Sequence, residues 1–295
     1  MNRWWDYWRA VGGRISWDRS LLRGLWVVPW LYGRSERRPS ARPGSIAFYP
    51  QPGLPWYTLP LAMRRTAIRQ TRDLKSADAV MMFDDRTRSD LTPPDVSGRL
   101  LNLRATDISK QHVGDVFRRV FGYDVSVDPC VHIGPMVEKA DVNGVHDGRI
   151  VTGPLETAQP GQSYQRLVES VIRPGVTEDL RCVCVGGKVA VIFRKEKAAH
   201  QRFSTVYLET TLCEANTVLS AQEQAQVAAF CHAMGLDFGS IDILRDHAGD
   251  GRIYIVDVNK TCMPVLSMAV GELDRALGLI GAAVEDLVLG PAVEA

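Results

Sequence analysis

The stretch IYIVDVNKT, residues 253–261, joins a buried-strand pattern to oxygen-bearing side chains at its end. Up to Val258 it is apolar apart from Tyr254 and Asp257, which predicts a core strand. Because side chains alternate along a strand, Asp257 and Asn259 are expected on the same side. Two oxygen donors on one side of a strand end could bind a hard cation. For this stretch alone, an Asp and an Asn opening a turn remain the alternative.

The strand is the second arm of a predicted hairpin, FGSIDILRDHAGDGRIYIVDVN, residues 238–259, with a Gly-rich turn. Its first arm carries Asp242, so strand pairing brings two carboxylates and one amide together. Mg²⁺ takes few protein ligands and completes its shell with substrate phosphates. Asp242, Asp257 and Asn259 therefore predict a metal–nucleotide site. Basic residues on neighbouring elements could hold the phosphates, although each taken singly is better explained as a solvated strand position: Lys110, Lys139, Arg181 and Arg194.

Two more hairpins precede this one. Residues 131–155, VHIGPMVEKADVNGVHDGRIVTGPL, carry Asn-Gly and Asp-Gly turn signals, and residues 180–196, LRCVCVGGKVAVIFRKE, turn at Gly186 and Gly187. SYQRLVESVI, residues 163–172, reads as a strand. Helices are predicted from an Asp107 N-cap to Gly122 and over residues 220–235. Antiparallel hairpins separated by helices indicate an α+β fold.

A small α/β unit is predicted ahead of the hairpins. Strands are expected at SIAFYP (45–50), ADAVMMFDD (77–85) and LLNLRA (100–105), with a helix over residues 58–74. Strand, helix, strand predicts a parallel sheet with a ligand at its carboxyl edge. Asp84 and Asp85, at the end of the second strand, are interpreted as loop caps.

Composition narrows the classes of function. The apolar share of 45% and the charged share of 23% are those of a soluble globular protein, and a net charge of +1 gives no reason to expect nucleic acid. The six cysteines show no CxxC spacing, which indicates a reducing, cytoplasmic compartment without a disulfide framework. No HxxxH or HxH pair suggests zinc. No apolar run reaches 18 residues, and residues 21–33, LLRGLWVVPWLYG, lack a signal-peptide cleavage site.

The first 45 residues differ from the rest of the chain. They contain six of the seven tryptophans and a net charge of +6 from nine arginines and three acidic residues. Trp4, Trp8, Val11 and Ile15 recur at helical spacing. A basic, aromatic segment of this kind could lie on a membrane surface or a partner. The favoured interpretation is an arm packed on the protein's own core or on a dimer mate, with residues 35–45 as a linker.

From about Asp107 to Pro264, the order of these motifs resembles the ATP-grasp superfamily, and in particular its carboxylate–amine ligases of the glutamate-ligating and D-alanine–D-alanine ligase types. The resemblance implies an ATP-grasp fold of two α+β subdomains preceded by a small α/β domain, with ATP and Mg²⁺ as cofactors. The implied units are an arm and linker (1–44), a small α/β domain (45–105), a central subdomain (106–163) and a C-terminal subdomain (164–295).

The resemblance also implies roles for individual residues. Lys110 in DISKQ and Lys139 in MVEKADVNGVHDG match the two phosphate-binding lysines of the family. The hinge strand YQRLVES (164–170) would line the adenine pocket through Gln165, Arg166, Leu167 and Val168. An acidic residue after the hinge, Asp179 or Glu178, would take the ribose hydroxyls. Arg181 and Arg194 would reach phosphate and acyl oxygens, and the metal ligands would be Asp242, Asp257 and Asn259.

Three features depart from the family's pattern. Asp257 stands where a Glu is more frequent, which shortens one metal ligand by a methylene. The phosphate loop has only two glycines, Gly144 and Gly148. The family's Thr-x-Pro-Gly after the Asn becomes Thr-Cys-Met-Pro, so the substrate edge differs. The small N-terminal domain is also shorter than usual, and the identity of the substrates is what the sequence reveals least.

The resemblance implies an ATP-dependent carboxylate–amine ligase that acts through an acyl phosphate on small-molecule acid and amine substrates. Lys110, Lys139 and Arg194 would offset the phosphoryl charge, with Arg194 also stabilising the tetrahedral oxyanion. Two alternatives stay open: a kinase of the same fold that phosphorylates a hydroxyl, and a non-catalytic nucleotide-binding protein. A homodimer and membrane contact by the N-terminal arm also stay open, the latter not favoured.

Overall fold

The computed structural model describes residues 19–35, 43–145 and 147–290. Trp4, Trp5, Trp8 and Trp17 of the predicted arm lie outside these residues. The described chain begins with helix α1 (Arg19–Arg34) and contains one parallel and two antiparallel sheets.

The N-terminal unit is a four-stranded sheet in the order β2-β1-β3-β4, and all its strand pairs are parallel, as predicted. Its strands are β1 (Ser45–Pro50), β2 (Arg69–Thr71), β3 (Ala79–Phe83) and β4 (Arg99–Leu101). The helix predicted over residues 58–74 is wrong beyond Met63, because α2 covers only Thr58–Met63. The chain then forms the edge strand β2, where pairing with β1 outweighs the local helical pattern.

Helix α3 (Lys110–Phe121) follows, and its N-cap differs from the prediction. The cap is Ser109, whose Oγ accepts a hydrogen bond from the backbone N–H of His112. Asp107 lies two residues earlier, where its Oδ1 accepts a hydrogen bond of 2.7 Å from the backbone N–H of Ser109. Gly122 ends the helix in the left-handed conformation, as expected.

The second sheet is antiparallel, in the order β6-β5-β7. It consists of β5 (Gly134–Ala140), β6 (Arg149–Gly153) and β7 (Gln162–Arg166), which confirms the first predicted hairpin. The single strand expected over residues 163–172 is two strands, β7 and β8 (Val171–Arg173). The chain crosses from this sheet to the largest one between them, at residues 167–170.

The largest sheet runs β11-β10-β9-β12-β13, with β8 also paired to β9. Its other strands are β9 (Val176–Val185), β10 (Lys188–Ala198), β11 (Glu209–Cys213), β12 (Phe238–Arg245) and β13 (Ile253–Asn259). A 3₁₀ turn (Ala199–Gln201) and the helices α4 (Ala215–Val218), α5 (Ala221–Met234) and α6 (Val270–Leu289) connect or cover them. Gly186 and Gly187 both have positive φ, as the predicted two-residue turn requires.

The two faces of the largest sheet bury two hydrophobic cores. One face packs against α3 and α5 through residues such as Phe117, Cys182 and Phe230. The other packs against α6, α2 and the parallel sheet, so the N-terminal unit shares its core with the largest sheet. All six cysteines are free thiols, and Cys130 is exposed. Among the described helices, none has the length and apolar character needed to cross a membrane.

Candidate active site

The hairpin β12–β13 places the two predicted metal carboxylates directly opposite each other. Asp242 pairs with Asp257 in register, and Ser240 pairs with Asn259. One extra residue on β13, Val256, forms a β-bulge next to this pair. The amide of Asn259 donates to Asp257 Oδ2 over 3.4 Å, so the two side chains share one side, as the alternation predicts.

Asp242 belongs to a buried ionic cluster. The guanidinium of Arg181 on β9 donates to both of its oxygens, at 2.9 and 2.8 Å, and Lys195 Nζ lies 3.4 Å from Oδ1. Burial alone would raise the pKa of Asp242, but Arg181 and Lys195 hold it well below its ordinary value. The carboxylate is therefore ionised and fixed in orientation.

Asp179 completes this cluster. Its Oδ2 lies 3.0 Å from Lys195 Nζ and 3.3 Å from Lys197 Nζ. Burial acts to lower the pKa of Lys195, but Asp179 and Asp242 outweigh it and raise that pKa above the ordinary value. The ring of Tyr207 covers both lysines, with its centroid 5.6 and 5.4 Å from the two Nζ atoms.

The two predicted phosphate lysines lie beside Asp257. Lys110 Nζ is 3.6 Å from Asp257 Oδ1 and donates to the Val142 carbonyl at 3.0 Å. Lys139 Nζ donates at 2.9 Å to the carbonyl of Val256, the bulged residue. Burial lowers the pKa of Lys139 to about 8. The nearby carboxylate of Asp257 acts to raise this pKa, and the positive charge of Lys110 acts to lower it further. Two ammonium groups thus converge on one edge of the hairpin.

A cavity extends from these lysines to the predicted hinge. Its walls include the four predicted adenine residues, both lysines, both metal carboxylates, and the phosphate-loop glycines: Gln165, Arg166, Leu167, Val168, Lys110, Lys139, Asp242, Asp257, Gly144 and Gly148. The phosphate loop is therefore part of the wall. A Cβ at Gly148 would lie 2.7 Å from the ring of Phe203, so the loop can pass this close to the ring only with a glycine at that position.

A second cavity is lined by the same carboxylates. Asp179, Asp242 and Asp257 line both cavities. Lys197 also lines both cavities, and the second is further lined by cations, hydroxyl groups and the segment after Asn259: Arg181, Lys195, Ser204, Thr205, Tyr207, Thr261, Cys262 and Met263. The carboxylate pair thus lines two spaces that could hold two different ligands.

Arg194 is the predicted residue that the structure does not bring to the cluster. Its Nε lies 3.2 Å from Glu178 Oε2, on the opposite face of the sheet from Asp242. The physical reason is a bulge at Ala190 that shifts the pairing, so that Lys195 rather than Arg194 faces Asp179. The sequence shows that both residues are basic, but it does not reveal the shift in strand register.

The two candidate ribose carboxylates are also engaged. Both oxygens of Glu178 have partners, His247 Nε2 at 2.7 Å and Arg194 Nε at 3.2 Å. Asp179 is paired with Lys195 and Lys197, while its Oδ1 is buried and accepts no hydrogen bond among the described residues. Of the two, Asp179 keeps an oxygen for a ligand, although it lies with the cations of the cluster.

Three residues of the site escaped the sequence prediction. Lys195 and Lys197 belong to a run of charged residues at the end of β10, and nothing in that run distinguishes them from solvated positions. Asn143 lies in the phosphate loop, where its side-chain amide donates to Asn259 Oδ1 at 3.0 Å and its backbone N–H donates to Thr87 Oγ1 at 2.8 Å. The Asn-Gly pair at 143–144 was interpreted only as a turn signal, which drew attention away from the side chain.

The donor set at the hairpin suits a hard divalent cation. Asp257 Oδ1 is shielded from solvent and accepts no hydrogen bond among the described residues. Within residues 19–35, 43–145 and 147–290, no group of three His, Cys, Asp or Glu side chains is arranged to hold a metal. Two carboxylates and one amide are nevertheless compatible with Mg²⁺, because this ion also takes phosphate and water oxygens.

Comparison with known proteins gives relatives of low identity. No family model matches the chain. It is 24% identical over 201 residues to a probable alpha-L-glutamate ligase of Xylella fastidiosa (strain M12), a match over 68% of this chain and 62% of that protein. A protein of the same name from Syntrophotalea carbinolica is 29% identical over 103 residues, 34% of this chain and 32% of that protein. The chain thus matches about three fifths of the length of the first relative.

Solved structures are similar over most of the chain. The ATP-grasp ligase PsnB, in complex with a minimal precursor, Mg and ADP, superposes with a TM-score of 0.51 and 14% identity, over 82% of this chain and 98% of that chain. A RiPP-associated ATP-grasp ligase of Chryseobacterium gregarium, in complex with ADP and a leader and core peptide, gives 0.50 and 11%, over 85% and 98%. The resemblance found in the sequence is confirmed for the fold, and this chain has the ATP-grasp fold.

Proposed function

We propose that the chain is an ATP-dependent carboxylate–amine ligase. The observation that carries the proposal is the pair Asp242 and Asp257, which lie opposite each other and line both a cavity bordered by the hinge and a second cavity lined by cations. If ATP occupies one cavity and the acid substrate the other, the transferred phosphoryl group passes beside these two carboxylates. The ATP-grasp fold and the similarity to proteins named glutamate ligases support the same reading.

ATP would occupy the first cavity, with adenine between the hinge residues 165–168. Lys110 and Lys139 lie at the end of that cavity where the triphosphate would reach the carboxylates. Phosphoryl transfer is catalysed mainly by positioning and charge neutralisation, and two converging ammonium groups supply both. The Oδ1 atom of Asp179 remains the candidate contact for the ribose, as the resemblance implies.

Asp242, Asp257 and Asn259 would hold Mg²⁺. When bound, Mg²⁺ would neutralise the triphosphate and draw its phosphate oxygens toward the carboxylates. Arg181 and Lys195 keep Asp242 ionised without Mg²⁺, so this ligand needs no proton loss on binding. Oδ1 of Asp257 accepts no hydrogen bond among the described residues and faces Lys110 Nζ at 3.6 Å, so it is the oxygen best placed to bind the ion.

The substrate carboxylate would enter from the second cavity. One of its oxygens would attack the γ-phosphorus while the bond to the ADP oxygen breaks and ADP leaves with the bonding electrons. The amine nitrogen would then attack the acyl carbon, and phosphate would leave as the C–O bond breaks. The amine proton would pass to phosphate or water.

Arg181 keeps the role that the resemblance implies, and Lys195 takes the role that the resemblance gave to Arg194. Both line the second cavity, and both are held by Asp242. Fixed cations at this position would stabilise the charge on the acyl phosphate and on the tetrahedral oxyanion. Arg194, paired with Glu178 on the other face of the sheet, has no part in this mechanism.

The test is ADP release from ATP with a panel of small acids and amines, followed by mass spectrometry of the products. We expect ADP, phosphate and an amide to form in equal amounts, with both acid and amine required. Asp257→Asn is the matched inactive variant. Phosphorylated product without an amide would replace the ligase by a kinase, and nucleotide binding without turnover across the panel would leave only a nucleotide-binding protein.

A further inference from the structure

One face of helix α1 packs on the described part of the protein. Val27 and Leu31 are buried in the core shared with α2 and α6. Gly24 lies so close to Leu266 that a Cβ there would be 2.9 Å from the leucine Cδ1. The guanidinium of Arg23 donates at 2.7 Å to the carbonyl of Met268. These contacts set the rotation of the helix about its axis, so its other face cannot turn inward.

The opposite face of α1 is apolar and exposed. Trp26 is 83% exposed, Leu25 46%, Trp30 42% and Tyr32 37%. Trp26 and Trp30 are one helical turn apart, so they form a continuous ridge. Two exposed tryptophans on one rigid helix face are unusual for a surface that meets only water.

Arginine side chains border this face. The guanidinium of Arg34 lies 5.0 Å from the centroid of the Trp30 ring, and that of Arg64 lies 4.3 Å from the Tyr32 ring. The sequence on both sides of α1 adds further arginines, and the first 45 residues carry a net charge of +6. An aromatic ridge bordered by arginines matches the boundary between anionic headgroups and acyl chains.

We infer that the exposed face of α1, formed by Leu25, Trp26, Trp30 and Tyr32, docks the protein on an anionic lipid surface. The aromatic rings would enter the headgroup boundary, while Arg34 and Arg64 would pair with phosphates. A second copy of the chain fits this face less well, because a two-fold interface would bring the same arginines of both copies together. The inference concerns a surface outside the proposed active site and does not depend on the ligase activity.

The test is sedimentation of the full chain with lipid vesicles. Vesicles of equal parts phosphatidylcholine and phosphatidylglycerol should bind the protein at least about tenfold more strongly than phosphatidylcholine alone, and high salt should reduce the difference. The double variant Trp26→Ser/Trp30→Ser should bind the mixed vesicles at least about tenfold more weakly. Ile133→Ser, which removes an 86% exposed apolar side chain elsewhere, is the matched control and should bind like the wild type.

Thermal unfolding of the double variant checks that the loss of binding is not a loss of folding. We expect the variant to remain folded, because the more exposed of the two rings is 83% exposed. A wild-type chain that stays in solution with the mixed vesicles overturns the inference, as does equal binding by the double variant. A concentration-dependent dimer that the double variant loses would assign this face to a second copy and would also overturn it.

Discussion

The two faces of the largest sheet carry charged side chains at adjacent positions and put them in different surroundings. On the cavity side, Lys195 meets Asp179 and Asp242 and is fully buried. On the other side, Arg194 meets Glu178 and is 38% exposed. One bulge decides which of two neighbouring cations enters the site. The charge of a residue therefore says less about its function than its position in the strand register.

Asp242→Asn should produce the largest effect on the cavity side. The change removes the anion that half-buried Arg181 and buried Lys195 share, and leaves Lys195 with Asp179 alone, which costs about 3 kcal/mol of unfolding free energy. Chemical denaturation measures this loss. Asp250→Asn is the matched control in the same hairpin, because its ion pair with Arg252 is exposed and contributes less than about 1 kcal/mol. Equal losses in both variants would contradict the account.

Lys195→Met and Arg194→Met form a matched pair across the sheet. We expect the rate of ADP formation to fall at least about 100-fold in the first variant, because it removes a fixed cation from the second cavity. The second variant should keep the rate within about threefold. Steady-state kinetics on both, with unfolding curves to confirm folding, makes the measurement. A larger loss for Arg194→Met would return that residue to the site.

The pH dependence of nucleotide binding should follow Lys139. Burial lowers its pKa to about 8, so it is cationic below that pH and loses its charge as the pH rises through it. Affinity for a non-hydrolysable ATP analogue with Mg²⁺ should therefore be highest below pH about 8 and fall by up to about tenfold above it. Calorimetric titration over this range measures the change.

Lys139→Arg keeps its charge at every pH in that range, so its profile should be flat. The same decline in the arginine variant would show that another group controls binding.

Asn143→Ala should have the smallest effect. It removes the hydrogen bond from the phosphate loop to Asn259 but leaves both carboxylates in place. We expect about a threefold weaker affinity for the nucleotide analogue and a loss of about 1 kcal/mol or less in stability. Asn102→Ala is the control, because the Asn102 side chain hydrogen-bonds the backbone of Phe238, at the start of β12. Once folding of this variant is confirmed, its nucleotide affinity should be unchanged.

Most of the architecture could be predicted from local pattern. The three hairpins follow from alternation and from Gly-rich turns, and α5 follows from a capping box between Ser220 and Glu223. The helix expected over residues 58–74 failed because β2 is an edge strand whose apolar signal is weak. A strand of three residues is fixed by its neighbour in the sheet, which local sequence does not report.

The site could be predicted in part. Asp242, Asp257 and Asn259 are found together because alternation and hairpin pairing are regular there. Lys195 lines the second cavity where the sequence predicted Arg194, because a bulge at Ala190 changes the parity of β10. A bulge of this kind leaves no mark in a run of apolar residues, so only the register between strands reveals it.

The most direct test of the account is Mg²⁺-dependent thermal stabilisation by a non-hydrolysable ATP analogue, on the wild type and on Asp257→Asn. At a hundredfold excess over the dissociation constant, the wild type should gain about 2.7 kcal/mol, and the variant should gain much less because it loses the negative charge of Asp257 and one of its carboxylate oxygens. Without Mg²⁺, the two proteins should respond alike. A wild type that no nucleotide stabilises would contradict the metal–nucleotide site and the ligase mechanism built on it.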